Sequence, residues 1–218
     1  MLFTATVVDP AVVITQKASL NTTLTISTVV LDVSGSGTGA EIKNDGKLVE
    51  ANHFGESGIG AVTVNGVLFG ISWAHMTSGW NTGGQWTKTD GQTRVPSLTD
   101  GTDFGKLMRE YIWTGGNTYV DIPGLTVGHK YRLQWITSSP RGGNISVEGS
   151  ASVPLAPLTQ PASNYPMMFA FTWVATDTTA NVLVTRQPGS YNTDSEIVFN
   201  GYVLHDVTLP SGTILIIW

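Results

Sequence analysis

The sequence contains no cysteine, which excludes disulfides, thiolate metal sites and a cysteine nucleophile. Charge is scarce: Asp, Glu, Lys and Arg make up 12% of the 218 residues, about half the usual share. The net charge is -5, so the basic footprint of a nucleic-acid-binding protein is missing. Long apolar runs are missing too. Ala11 to Ile14 and Ile214 to Trp218, like Met167 to Phe171, fall far short of the roughly 20 residues that span a bilayer. No basic segment followed by an apolar stretch opens the chain, so no signal peptide is expected.

The Ala, Glu, Lys and Leu excess of a helical bundle or coiled coil is also absent. What is abundant is Thr and other β-branched residues, with 25 Gly and 10 Pro, a mixture that suits strands and turns. The 7 Trp, 6 Tyr and 7 Phe can supply a large core, which argues against disorder. Low charge with many Thr, Ser, Asn and Gly points to an extracellular or cell-surface location. The triplets Asn21-Thr22-Thr23 and Asn144-Ile145-Ser146 match glycosylation acceptors, but such triplets often arise by chance.

The chain divides into three zones. Residues 1–40 form an arm with strand patterns at Phe3 to Val8, Val12 to Thr15 and Leu24 to Val33. The arm ends in the linker-like Ser34-Gly35-Ser36-Gly37-Thr38-Gly39. Residues 41–207 carry many short strand patterns separated by turn signals. Residues 208–218 close the chain with an apolar strand. Within the middle zone, Asn65-Gly66 between Ala61–Val64 and Val67–Phe69 predicts a two-residue hairpin, because both turn residues tolerate positive φ. Tyr131, Leu133 and Trp135 alternate with polar residues and predict a half-buried strand. Met167 to Val174 reads as a central buried strand, and Val182 to Thr185 and Glu196 to Leu204 as further strands. Only Phe104 to Ile112 has helical spacing. The fold expected is all-β: an antiparallel jelly-roll β-sandwich with strand-forming N- and C-terminal extensions and under about 10% helix. Its expected core includes Tyr131, Leu133, Trp135, Phe169, Phe171, Trp173, Val198 and Leu204.

Several segments in order resemble a family of extracellular β-sandwich modules abundant in planctomycete and verrucomicrobial surface proteins. They are Gly46-Lys47-Leu48-Val49-Glu50-Ala51-Asn52-His53-Phe54-Gly55, Val62-Thr63-Val64-Asn65-Gly66-Val67-Leu68-Phe69, Ile122 to Gln134, and Phe199-Asn200-Gly201-Tyr202-Val203-Leu204. The resemblance covers roughly residues 41 to 207. It implies a galactose-binding-type jelly roll like that of many carbohydrate-binding modules, and it brings no catalytic residues with it.

Catalytic and metal motifs are weak. His53, His75, His129 and His205 show no zinc-ligand spacing, no Gly-x-Ser-x-Gly elbow is present, and the Ser/Gly run lacks the ending of a phosphate loop. No enzyme activity, no cofactor and no metal site are expected. The turn Asp100-Gly101-Thr102-Asp103 does offer oxygens of the kind calcium takes, although an acid-lined turn is the simpler reading. The long segment from Ala74 to Asp103 carries Trp80, Trp86 and Arg94. Their rings and guanidinium suit stacking on and hydrogen bonding to a sugar, or pinning the loop to the sandwich.

The ends are apolar: Phe3, Val12, Ile14, Leu24 and Ile26 in the arm, Ile214, Ile216 and Trp218 in the tail. Each such side chain gains roughly 1.5–3 kcal/mol on burial. Either the ends close the edges of their own sandwich, or they pair with the edge of another copy as in strand donation. The function expected is therefore a structural, self-assembling extracellular or cell-surface subunit of a filament or layer. The alternative is a non-catalytic carbohydrate-binding module. The partners expected are copies of the chain itself and, on the second reading, glycans; nucleic acid and membrane spans are not.

Overall fold

The computed structural model describes residues 4–8, 11–15, 25–31, 38–54, 60–72, 75–76, 101–109, 111–114, 117–138, 143–148, 153–154, 167–186 and 197–208. Along the arm run strands β1 (Thr4–Val8), β2 (Ala11–Thr15) and β3 (Thr25–Val30). There follow β4 (Lys47–His53), β5 (Val62–Val64), β6 (Val67–Ile71), helix α1 (Asp103–Arg109), β7 (Ile112–Thr114), β8 (Thr118–Pro123) and β9 (Lys130–Thr137). The last are β10 (Gly143–Val147), β11 (Val153–Pro154), β12 (Met167–Val174), β13 (Thr179–Arg186), β14 (Ile197–Phe199) and β15 (Gly201–Asp206).

The strands form an all-β sandwich. One sheet has nine strands in the order β1-β2-β3-β12-β9-β15-β4-β6-β5, the second has four in the order β11-β10-β13-β8, and β14-β7 form a small pair. Pairing is antiparallel except where β6 lies beside β4. That exception arises because β5 takes the outer position and β6 turns back inside it. The predicted turn is present: Asn65 and Gly66 have φ of 46° and 75°, and Val64 pairs with Val67 across them.

The nine-stranded sheet is buried on both faces at its centre. Tyr131, Leu133 and Trp135 of β9, Phe169, Phe171 and Trp173 of β12, and Tyr202 and Leu204 of β15 face the second sheet's Val120, Ile122, Ile145, Val182 and Val184. The opposite face presents Ile136, Met168 and Val203 to a second cluster that includes Leu31, Ile42, Phe69, Phe104 and Leu107. All eight core residues read from the sequence are buried. The strand read as half-buried differs: Gln134 is fully buried as well. Its side chain accepts from Lys43 N–H at 2.7 Å and donates to Lys43 C=O at 2.8 Å, as a neighbouring strand would. Arg132 holds the same strap by donating to Asp45, and its guanidinium keeps the Asp45 carboxyl below the usual carboxylate range.

Helix α1 is short and well capped. Thr102 Oγ1 accepts from Gly105 N–H at 2.9 Å. At the other end Asn200 Nδ2 donates to the carbonyls of Met108 and Leu107. Asn200 also splits the single strand expected over Glu196 to Leu204 into β14 and β15, since its side chain serves the helix end.

His205 is fully buried, and neither ring nitrogen has a hydrogen-bond partner among the described residues. Burial, then the Arg132 charge, lowers its pKa from the ordinary 6.5, partly opposed by Asp45. Burial lowers that of His53 too, against a hydrogen bond with Gly60 C=O. The unfolded chain therefore binds more protons at these sites near pH 6.5 than the folded chain does. Stability is complete above that pH and falls below it, by up to about 1.4 kcal/mol per pH unit per histidine. Thermal melting from about pH 7.5 to about pH 5.5 should show a falling midpoint, with a shallower slope in His205→Leu. An unchanged slope in the variant would count against the assignment.

Candidate functional site

Two features stand out, a polar cluster on the flank of the sandwich and the edges of its sheets. The cluster starts from spacing. Glu50 and Asn52 are two apart on β4 and so share the face that carries Tyr202, the cross-strand partner of Asn52. Tyr202 OH donates to Glu50 Oε1 at 3.0 Å and accepts from Asn52 Nδ2 at 2.9 Å; Asn52 Nδ2 also donates to Glu50 Oε1. His75 Nε2 lies 3.1 Å from the same carboxylate oxygen. The Tyr202 ring stacks on Trp135 and leans on Phe54. Burial and the Glu50 carboxylate push the Tyr202 hydroxyl well above the ordinary tyrosine value despite the Asn52 hydrogen bond, so it serves as a neutral hydrogen-bonding group.

Glu50 and His75 remain about a fifth to a quarter exposed. Their two sheets meet here: Met76 bridges Val120, and Asp121 N–H donates to His75 C=O at 2.9 Å. The cluster can accept and donate hydrogen bonds around one carboxylate. Among the described residues it gathers one carboxylate and one neutral tyrosine hydroxyl, where a glycosidase uses two carboxyl groups. Sequence reasoning missed it because Glu50 and Tyr202 are 152 positions apart; the one local signal was the two-residue spacing of Glu50 and Asn52.

The sequence-derived sugar site, Trp80, Trp86 and Arg94, lies outside the described residues, as do Phe3, Leu24, Ile214, Ile216 and Trp218. Asp100 does too, while Asp103 accepts from Thr63 N–H and from Lys106 at 2.9 Å each. Among the described residues no three His, Cys, Asp or Glu gather as a metal site, and no helix is long and apolar enough to cross a membrane.

The arm's strands β1, β2 and β3 lie in the nine-stranded sheet. Val12 and Ile14 sit on β2, opposite Val7 and Ala5 of β1. Ile14 is also opposite Ile26 of β3, which in turn faces Phe171 of β12. The arm thus covers the edge of β12 within its own chain and moves the sheet's boundary outward to β1.

Several other edges are closed in different ways. On β5, the outward Thr63 N–H is bonded to Asp103. On β8, the His75–Met76 segment pairs with Val120 and Asp121. β11 has two residues and ends in Pro154, which has no N–H to offer. The Val198 carbonyl of β14 accepts from Thr137 Oγ1 at 2.7 Å. Among the described residues β1 has β2 on one side and no strand on the other.

No family model matches the sequence, and neither does any curated protein. The class is therefore defined by shape, a two-layer β-sandwich. Among solved structures it is similar to the plant receptor-like kinase FER, with a TM-score of 0.53 and 10% identity over 73% of this chain and 42% of that one. It is also similar to the ANX1 ectodomain from Arabidopsis thaliana, with 0.51 and 12% over 72% and 41%. A complex of the plant peptide RALF23 with FER and LLG2 matches with 0.50 and 11% over 77% and 42%. The chain spans about two fifths of each of these, and at such identity the likeness is one of fold.

Proposed function

We propose that the protein is a non-catalytic structural subunit of an extracellular or cell-surface assembly, joined to copies of itself at the edge of its larger sheet. The observation that carries this reading is β1. It is an uncharged strand, Thr-Ala-Thr-Val-Val, at a sheet boundary with no neighbour among the described residues. Unpaired strand edges of this kind recruit other strands. Pairing of β3 with β12 of the same chain over six residues favours edge-to-edge joining over donation of β3 itself. The ectodomain fold of the similar receptors supports the extracellular placement. Light scattering over a rising concentration series should give masses above the 23.2 kDa of one chain. A mass that stays at one chain throughout would overturn the reading.

A second reading, a carbohydrate-binding module, is favoured by the Glu50–Asn52–His75–Tyr202 cluster. It lies where the chain enters the segment that carries Trp80 and Trp86. On this reading Glu50 receives ligand hydroxyls and the tryptophans stack on the sugar. A glycan-array signal lost both in Glu50→Gln and in a Trp80→Ala, Trp86→Ala double variant supports it. A blank array, or one indifferent to Glu50→Gln, removes it.

A further inference from the structure

We propose that His205 is the trigger of an acid-released strap: a proton on its ring opens residues 43–46 away from the outer face of the nine-stranded sheet while the sandwich stays folded. The inference goes beyond the assembly reading and does not depend on it. Register places the ring. His205 of β15 lies opposite Arg132 of β9, and Val203 lies opposite Gln134. Residues two apart on a strand share a face. Val203 belongs to the outer cluster, and the side chains of Arg132 and Gln134 both bond to the strap. His205 therefore sits on the face that the strap crosses. The crossing is close: a Cβ on Gly46 would come within 3.4 Å of His205 Cβ and 2.8 Å of the Asp206 carbonyl oxygen.

Each element packed against the ring contributes a known group. β9 contributes Arg132, and the strap contributes Asp45, whose carboxylate lies 2.8 Å from the Arg132 guanidinium. β4 places the apolar Leu48 opposite His205, while Lys47 lies opposite Asp206. Asp206 in turn holds the His129 ring at 2.7 Å. A proton on His205 thus sets a second cation beside Arg132. The Asp45 carboxylate would then have two cations to offset, and it already bonds one of them. A charge buried in the fold without water is costly, and burial and Arg132 both oppose the proton here.

The strap is the part that yields most readily. Bringing water to the ring from within the sheet would break the β9–β15 ladder and the stack of Trp135 on Tyr202. Residues 43–46, by contrast, are exposed and lie outside any strand. Side chains hold them, Gln134 at Lys43 and Arg132 at Asp45, and water can replace those bonds. Segments with few buried apolar contacts and exposed hydrogen bonds open first. Both ends of the segment stay fixed. Ile42 is fully buried in the outer cluster, and its carbonyl accepts from Asn65 Nδ2 at 2.7 Å; Lys47 begins β4. Opening hydrates the imidazolium and carries Asp45 away. Acidification is thereby converted into an exposed cationic patch of Arg132 and His205.

Hydrogen exchange of the full-length chain, corrected at each pH for the intrinsic exchange rate, tests this. The reporter is the Lys43 N–H, which donates to Gln134 Oε1 at 2.7 Å. Its protection should fall below about pH 6.5, by up to about tenfold per pH unit, the limit for one linked proton. Amides of the β9–β12 ladder should keep theirs. Asp45 stays ionised across this window, because Arg132 holds its carboxyl below the usual range. His205→Leu should flatten the Lys43 profile, whereas His53→Leu and His129→Gln should leave it as in the parent. If His205→Leu does not fold, the parent alone decides: its His205 ring signals should titrate where Lys43 loses protection. A flat Lys43 profile in the parent overturns the proposal. So does loss of strap and ladder protection together, which is global unfolding. A fall that survives His205→Leu, that disappears in His129→Gln, or that occurs away from the His205 titration also overturns it.

Discussion

A chain lacking residues 1–31 is expected to lose at least about 3 kcal/mol of folding stability and to aggregate without a defined stoichiometry. Two physical losses combine. Leu31, 2% exposed, leaves the cluster formed with Ile42, Phe104 and Leu107; burial of one such side chain contributes roughly 1.5–3 kcal/mol. The six-residue ladder between β3 and β12, from Met167↔Val30 to Thr172↔Thr25, is also removed. β12 then becomes a sheet edge with the sequence Met-Met-Phe-Ala-Phe-Thr-Trp-Val, uncharged and rich in aromatics, a strong template for uncontrolled pairing. Denaturant unfolding and light scattering check both parts. A truncated chain that is monomeric and as stable as the intact one would show that the arm is not part of the sandwich.

Trp135→Ala should be the most damaging single substitution, costing about 3–5 kcal/mol. Trp135 is fully buried on β9. It stacks on Tyr202 at 5.7 Å and 9° between planes, and meets Phe199 edge-on at 4.8 Å and 84°. Phe54 packs at 6.2 Å. Deleting the indole leaves a cavity beneath Tyr202, the residue that orients Glu50 and Asn52. Stability and the polar cluster should therefore fail together. Urea unfolding should show a large drop in midpoint with an unchanged slope, the signature of lost stability rather than a changed denatured state. A drop below about 1 kcal/mol would contradict the packing described.

What could be read in the sequence was local. Asn65-Gly66 marked a hairpin because only such residues accept positive φ at both turn positions. The alternation of Tyr131, Leu133 and Trp135 marked the face toward the second sheet. The helical spacing after Phe104 located α1, although Ile112 belongs to β7 rather than to the helix. What escaped was non-local polar bonding. Gln134 looks solvent-facing by alternation, yet it is buried because the backbone of Lys43, 91 positions away, satisfies its amide. Asn200 sits in a strand-like run, but its side chain belongs to the helix end. Glu50, Tyr202 and His75 come from three separate segments, and no local pattern announces their meeting. The arm was legible as strands but not as the continuation of β12's sheet, because pairing partners are not encoded in strand propensity.

Hydrogen exchange of the β1 amides at low and high protein concentration tests most directly whether that edge joins subunits. The account predicts that amides within Thr4–Val8 gain protection as concentration rises, while those of Val62–Val64 on β5 and Thr118–Pro123 on β8 do not change. Exchange in β1 that is independent of concentration, or new protection at β5 or β8 in its place, would contradict it.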